Sequence, residues 1–121
     1  MLRNMQPENQ QPMSAMLKSS YAECIEVCQQ CLIDCKVCLA EMAGKKSMND
    51  CPYCCVQCIE VLQASIGLMA VGSKFAAEHC ALCAKICEYC AEQCAAHDHE
   101  HCKRCAESCR KCAEMCRSMA A

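Results

Sequence analysis

The sequence predicts an all-α fold, an antiparallel up-down-up-down four-helix bundle with cysteines lining the core. Three observations lead there. Nineteen of the 121 residues are cysteine, and nearly all recur at steps of three and four, the spacing that keeps side chains on one stripe of a helix. Gly and Pro number three each, and none interrupts the cysteine rows of the first, third and fourth periodic stretches. The connections between stretches are short, which forces sequential helices to run antiparallel.

Residues 1–13, with Pro7 and Pro12 among Gln and Asn, read as a polar, mobile arm without a function. The remaining residues, 14–121, form a single bundle domain. The first helix is expected from about residue 14 to Met42, with Leu17, Tyr21, Cys24, Cys28, Cys31, Cys35, Cys38 and Met42 on one seam. Gly44 is its expected stop, and Lys45 and Lys46 suit the negative end of the helix dipole. Asn49 or Asp50 is expected to cap the second helix, with Pro52 in its first turn. Cys51, Cys54, Cys55 and Cys58 crowd its start, and Val61, Leu62, Ser65 and Met69 continue the face. Cys54 and Cys55 are adjacent and so about 100° apart, which predicts that one of them is at the seam edge or spare. Gly67 inside this helix costs about 1 kcal/mol relative to Ala and is expected to mark close packing.

Gly72-Ser73 makes the next turn. The third helix runs from about Lys74 to Ala96 with Cys80, Cys83, Cys87, Cys90 and Cys94 in register. His97-Asp98-His99-Glu100-His101 connects it, with Asp98 as expected N-cap, to the fourth helix, where Cys102, Cys105, Cys109, Cys112 and Cys116 alternate with charged residues. Helices three and four look like a duplication of one cysteine pattern. Antiparallel order puts the first and third connections and the thiol-rich start of helix two at one end. The second connection, with Leu17, Leu62, Ile66, Met69 and Met119, sits at the other. One mouth is sulfur and imidazole; the opposite end is an apolar plug.

The net charge of −2 gives no electrostatic case for nucleic acid or an anionic membrane, and neither partner is expected. No run approaches the roughly 18 uninterrupted apolar residues of a membrane span. The first residues show neither a secretory apolar core nor a twin-arginine pair, so the expected compartment is the cytosol. Structural disulfides are rare there, and thiol density points to metal.

The metal favoured by the pattern is Cu(I). A linear sulfur–metal–sulfur unit with bonds of about 2.3 Å spans about 4.5 Å, compatible with residues three or four apart on a helix or on facing helices. Nineteen buried thiolates require neutralisation. One Cu(I) per thiolate leaves the interior about neutral, whereas Zn²⁺ with four thiolates leaves two negative charges at each site. Soft thiolates also select Cu(I), and bridging gives a capacity of about one copper per cysteine.

The rows of CxxxCxxC and the His97, His101, Cys102, Cys105 run resemble the cytosolic branch of the bacterial copper storage proteins, over about residues 14–119. The resemblance implies a homotetramer of bundles, each holding many Cu(I) ions mainly on CxxxC pairs, with metal entering at the His-bearing end. His97 and His101 remain open between ligand and solvated loop residue. His79 and His99 receive no role. Met42, Met69, Met119 and Tyr21 read as packing, Met42 with a thioether at the mouth as the alternative.

Ile25, Val27, Leu32, Leu39, Val56 and Ile59 lie off the seam, which predicts self-association through helices one and two. The expected function is Cu(I) storage without turnover chemistry, so the chain is not expected to be an enzyme. Its partners are copper ions, further copies of the chain and a copper chaperone. Two other classes compete: a zinc or iron–sulfur protein, weakened by the continuous helical period and the lack of a Cys-Pro cluster motif, and a thiol-redox protein, weakened by the odd cysteine count and the lack of a βαβ pattern.

Overall fold

The computed structural model describes residues 19–121, in which four helices and no strands occur. They are α1 (Ser19–Met42), α2 (Tyr53–Ala70), α3 (Ala76–Ala95) and α4 (Glu100–Ala120). Each packs on two neighbours, α1 on α2 and α4, and α3 on α2 and α4. The diagonal pairs stand farther apart and meet through thiols at the centre, so the helices stand at the corners of a square around a central axis. The expected arm and the start of helix one, Leu17 included, lie outside the described residues.

The thiol stripes explain the architecture. All nineteen cysteines are fully buried and free. Among the described residues, Met42, Leu62 and Met69 are the other large side chains buried to this degree. Ala84 and Ala91 on α3, and Ala106 and Ala113 on α4, are also buried. Seven residues apart on facing helices, these alanines form a seam of small side chains, and α3 with α4 is the most extensively packed pair.

The helix ends show where local chemistry overrode expectation. Gly44 adopts the left-handed conformation (φ +80°) after α1, as anticipated. After α2, Gly72 (φ +62°) completes a Schellman turn: Ser73 N–H donates to Leu68 O at 2.9 Å and Gly72 N–H to Met69 O at 3.1 Å. The starts differ. Neither Asn49 nor Asp50 caps α2; Pro52 occupies the N-cap position, following a cis peptide bond. Both side chains are engaged elsewhere, Asn49 Nδ2 donating to Gln93 O at 2.8 Å and Asp50 accepting from Tyr89 Oη at 2.7 Å. Asp98 is likewise not the cap of α4. That position falls to His99, whose carbonyl accepts from Cys102 N–H and Lys103 N–H.

Gly67 is not a close-packing residue either. A methyl group there would meet nothing within 4 Å. α2 is long and apolar enough on average to cross a membrane, with mean hydropathy 1.4 over 18 residues, but it holds no uninterrupted apolar run of that length. Gln57, Glu60 and Gln63 break its run, and Cys54, Cys55, Cys58, Leu62 and Met69 bury its other face inside the bundle.

The apolar plug is observed. Leu62, Met69 and Ala76 are buried at the end opposite the His-bearing loop, with Ile66 and Met119 packed against them. Ser65 is buried there too and pairs with His79 Nδ1 at 2.7 Å.

Candidate metal site

A CxxxC pair on one helix places its two sulfurs on successive turns of the same stripe. Five such pairs stand 3.8–4.0 Å apart: Cys24–Cys28, Cys31–Cys35, Cys83–Cys87, Cys90–Cys94 and Cys112–Cys116. The antiparallel neighbour then brings a third sulfur to many of them. Cys24, Cys28 and Cys116 form a triangle with sides of 4.0, 3.9 and 3.8 Å. Cys28 closes a second on Cys112 and Cys116, at 3.6, 3.8 and 3.9 Å. Cys31 and Cys35 meet Cys109 at 3.6 and 3.8 Å, and Cys55 meets Cys90 and Cys94 at 3.9 Å each. For metal–sulfur bonds of about 2.3 Å, three sulfurs around one ion stand about 3.9–4.0 Å apart. The helix packing has therefore set trigonal spacing before any metal is present.

The triangles share corners and edges, so the sulfurs form a continuous path. Cys80 belongs to the plug end, through its interactions with Cys24 and Cys116. Cys31, Cys87 and Cys112 converge farther along, followed by Cys35, Cys90, Cys105 and Cys109. Cys58 approaches this central region. Cys54, Cys55, Cys90 and Cys94 come next, then Cys38, Cys51, Cys55 and Cys94. At the mouth Cys38 reaches Cys102 at 3.7 Å and Cys51 at 3.9 Å.

Two expectations about α2 change. Cys54 and Cys55 both belong to the core, because the stripe a helix presents to a square bundle is at least 100° wide. Cys54 points to Cys90 at 3.2 Å, and Cys55 points across to Cys105 at 3.8 Å. Cys51 lies in the turn before α2 rather than inside it.

The histidines divide. His97 is buried, and its Nε2 is taken up by Asn49 Oδ1 at 3.0 Å and Ser47 Oγ at 3.2 Å, tying the end of α3 to the loop before α2. His101 faces sulfur, with Nδ1 3.5 Å from Cys102 Sγ, and its buried Nε2 has no hydrogen-bond partner. His99, which received no role from the sequence, stacks between them, its ring centre 6.2 Å from that of His97 and 5.2 Å from that of His101. The alternate spacing of the three histidines was its only sequence signal. Met42 is fully buried at this end and lines a cleft of about 360 Å³ with Cys51, Lys45 and Tyr53.

Burial dominates the titration of the outermost thiols. Cys102 is pushed up to about 12, first by burial and then by negative charge on Cys38. Cys51 is raised for the same reasons in the same order. Deeper in, Cys109 is lowered by the Cys105 thiol donating to it and then by Cys31 and Cys35.

A helical bundle with a sulfur-lined axis and a sealed far end defines a multi-ion thiolate container. Comparison with known proteins identifies the lineage: residues 9–121 match the family model described as Csp, copper storage protein, and the chain belongs to that family. It is 38% identical to the Cu(I)-bound copper storage protein BsCsp3, with a TM-score of 0.80 over 84% of this chain and 99% of that one. The copper storage protein Ccsp of Streptomyces lividans, loaded with 10 copper equivalents, superposes with a TM-score of 0.77 at 26% identity, covering 98% of this chain and 95% of that one. The cysteine-rich protein YhjQ of Bacillus subtilis, itself uncharacterized, is 41% identical over 105 residues, 84% of this chain and 97% of the relative.

Proposed function

We propose that this chain stores Cu(I) in the cytosol by filling its sulfur axis, taking about one ion per cysteine and carrying out no turnover chemistry. The observation that carries the reading is the repeated triangle of a CxxxC pair with one sulfur from the antiparallel neighbour. It matches the coordination preference of a soft monovalent ion and recurs along the bundle. Family membership and the Cu(I)-bound relative support the same metal. The nineteen free thiols support a reducing compartment.

All nineteen cysteines serve as storage ligands in this reading, and His101 binds copper in passage at the mouth. Copper arrives at the His-bearing end and passes inward by exchange between sulfurs less than 4 Å apart. His97 becomes a ligand only when its bonds to Asn49 and Ser47 release. Two partners complete the proposal. Of the six off-seam residues expected to drive self-association, Ile25 is buried and Val27, Leu32, Leu39 and Ile59 are half-buried against the core, which leaves Val56 exposed; exposed Ile33 and Val37 on α1 support assembly of further copies instead, and a copper chaperone would deliver or withdraw metal at the mouth.

The test is a titration of the reduced protein with Cu(I) against a competing chelator, with circular dichroism recorded alongside. About nineteen ions bound by an already helical chain is the expected result. Saturation at four or five ions, or helix appearing only with metal, would replace storage by discrete structural sites.

A further inference from the structure

Cys51 stands in the connection between α1 and α2, whereas every other cysteine stands on a helix whose backbone ladder fixes its thiol. No ladder holds Cys51. It nevertheless completes a four-thiol group with Cys38, Cys55 and Cys94, at 3.9 Å from Cys38 and 3.7 Å from Cys94.

What places this loop is a stripe on α3. Tyr89, Gln93 and His97 follow one another four residues apart, so they line one face of α3 and its C-terminal end. Tyr89 Oη donates to Asp50 Oδ2 at 2.7 Å, Gln93 Oε1 accepts from Asp50 N–H at 2.8 Å, and Gln93 O accepts from Asn49 Nδ2 at 2.8 Å. His97 Nε2 meets Asn49 Oδ1 at 3.0 Å, and the same oxygen accepts from Cys51 N–H at 3.0 Å. Among the described residues, the hydrogen bonds that tie residues 47–50 to a distant part of the chain all end on this stripe. The position of the Cys51 thiol therefore follows from bonds made by its two predecessors.

Tyr89 and Gln93 carry neither thiol nor imidazole, so neither is counted among the copper ligands. Tyr89 is exposed and Gln93 half-buried, where water competes for their bonds. A loop held by a few such bonds opens more readily than a helix whose whole ladder must break.

We infer that Tyr89 and Gln93 are positioning residues for copper exchange: they clasp Asn49 and Asp50 to α3, and release of the clasp, which frees Cys51 from the outermost thiol group, sets the rate at which Cu(I) enters and leaves. The inference rests on the storage reading and adds the step that limits exchange. A bond that stabilises only the closed loop slows filling and emptying alike. Its loss speeds both by a similar factor and leaves the number of ions held unchanged.

The test uses the reduced full-length chain, empty and loaded. Tyr89→Phe and Gln93→Leu each remove one side-chain bond at nearly constant volume, and one net hydrogen bond shifts such an equilibrium about fivefold. Each variant, checked for helicity, should release Cu(I) to excess chelator about fivefold faster than wild type, take it up faster by a similar factor in stopped flow, and keep the same capacity. In the metal-free protein, amide hydrogen exchange at Asp50 and Cys51 should quicken. Ser65→Ala removes a hydrogen bond of 2.7 Å to His79 at the plugged end and should alter neither rate. Unchanged release in both variants overturns the inference, whatever the Asp50 amide does. Equal acceleration by Ser65→Ala also overturns it, because general loosening would then explain the effect. Wild-type capacity is a separate readout: a count of about four or five ions sinks the storage reading, whereas nineteen ions with unchanged rates sink the clasp alone.

Discussion

The sulfurs of Cys54 and Cys90 lie 3.2 Å apart, the shortest thiol contact among the described residues. Cys54 is thus as much a part of the axis as its neighbour Cys55. Cys54→Ser is expected to lower Cu(I) capacity by about one ion per chain, as thiolate bridging requires, with helicity unchanged. Chelator-competition titration reads this directly, and an undiminished capacity would make Cys54 a spare thiol.

His101 faces sulfur while His97 is held by Asn49 and Ser47. Stopped-flow uptake of Cu(I) should therefore slow mainly in His101→Ala and only slightly further in the double variant with His97→Ala. Capacity should stay nearly constant in both. A loss of capacity in proportion to the histidines removed would mean that they are storage ligands rather than an approach to the axis.

Cys102 titrates near 12 and Cys51 is also raised, chiefly because both are buried. An unfolded chain ionises the same thiols near 9, so above that pH it binds fewer protons than the folded one. The sign follows: the stability these groups contribute is fully present below about pH 9 and is lost as pH rises toward 12. Urea unfolding of the reduced metal-free protein should show its midpoint falling across that window. A midpoint that rises with pH would contradict the assignment.

Gly67 lies within α2, where an added methyl group meets nothing. Gly67→Ala should stabilise the protein by about 0.5–1 kcal/mol through the lower backbone entropy of the unfolded state. Denaturant or thermal unfolding checks it. A destabilised variant would reveal that a second copy of the chain approaches this position in the assembly.

Ile33 and Val37 are exposed one helical turn apart on α1, with Val56 exposed on α2. Light scattering on the wild-type chain should give a mass several times that of one copy. Replacing Ile33 and Val37 by Lys should return it to the mass of one copy while the Cu(I) count per chain stays the same. A wild-type chain that is monomeric at micromolar concentration would remove the assembly from the proposal.

Most of the bundle was legible in the sequence because one residue type marked its interior. Where Leu or Ala would leave inside and outside to be inferred from hydropathy, cysteine marks the buried stripe of each helix, so helix order and the two ends followed. What failed to show was set by contacts between distant segments. Asn49 and Asp50 have the side chains of good caps, but Gln93 and Tyr89 on α3 claim them. The pair Cys54 and Cys55 looked one thiol too many because an angular argument on one helix ignores how wide an arc three neighbours can cover. His97 and His101 share a residue type and a loop. Only the fold separates the one that meets Ser47 and Asn49 from the one that meets Cys102.

The alanines Ala84, Ala91, Ala106 and Ala113 bind α3 and α4 along a seam with almost no side-chain volume to give. Any spreading of the bundle as ions enter is therefore expected on the side of α1 and α2, with the alanine seam as its spine.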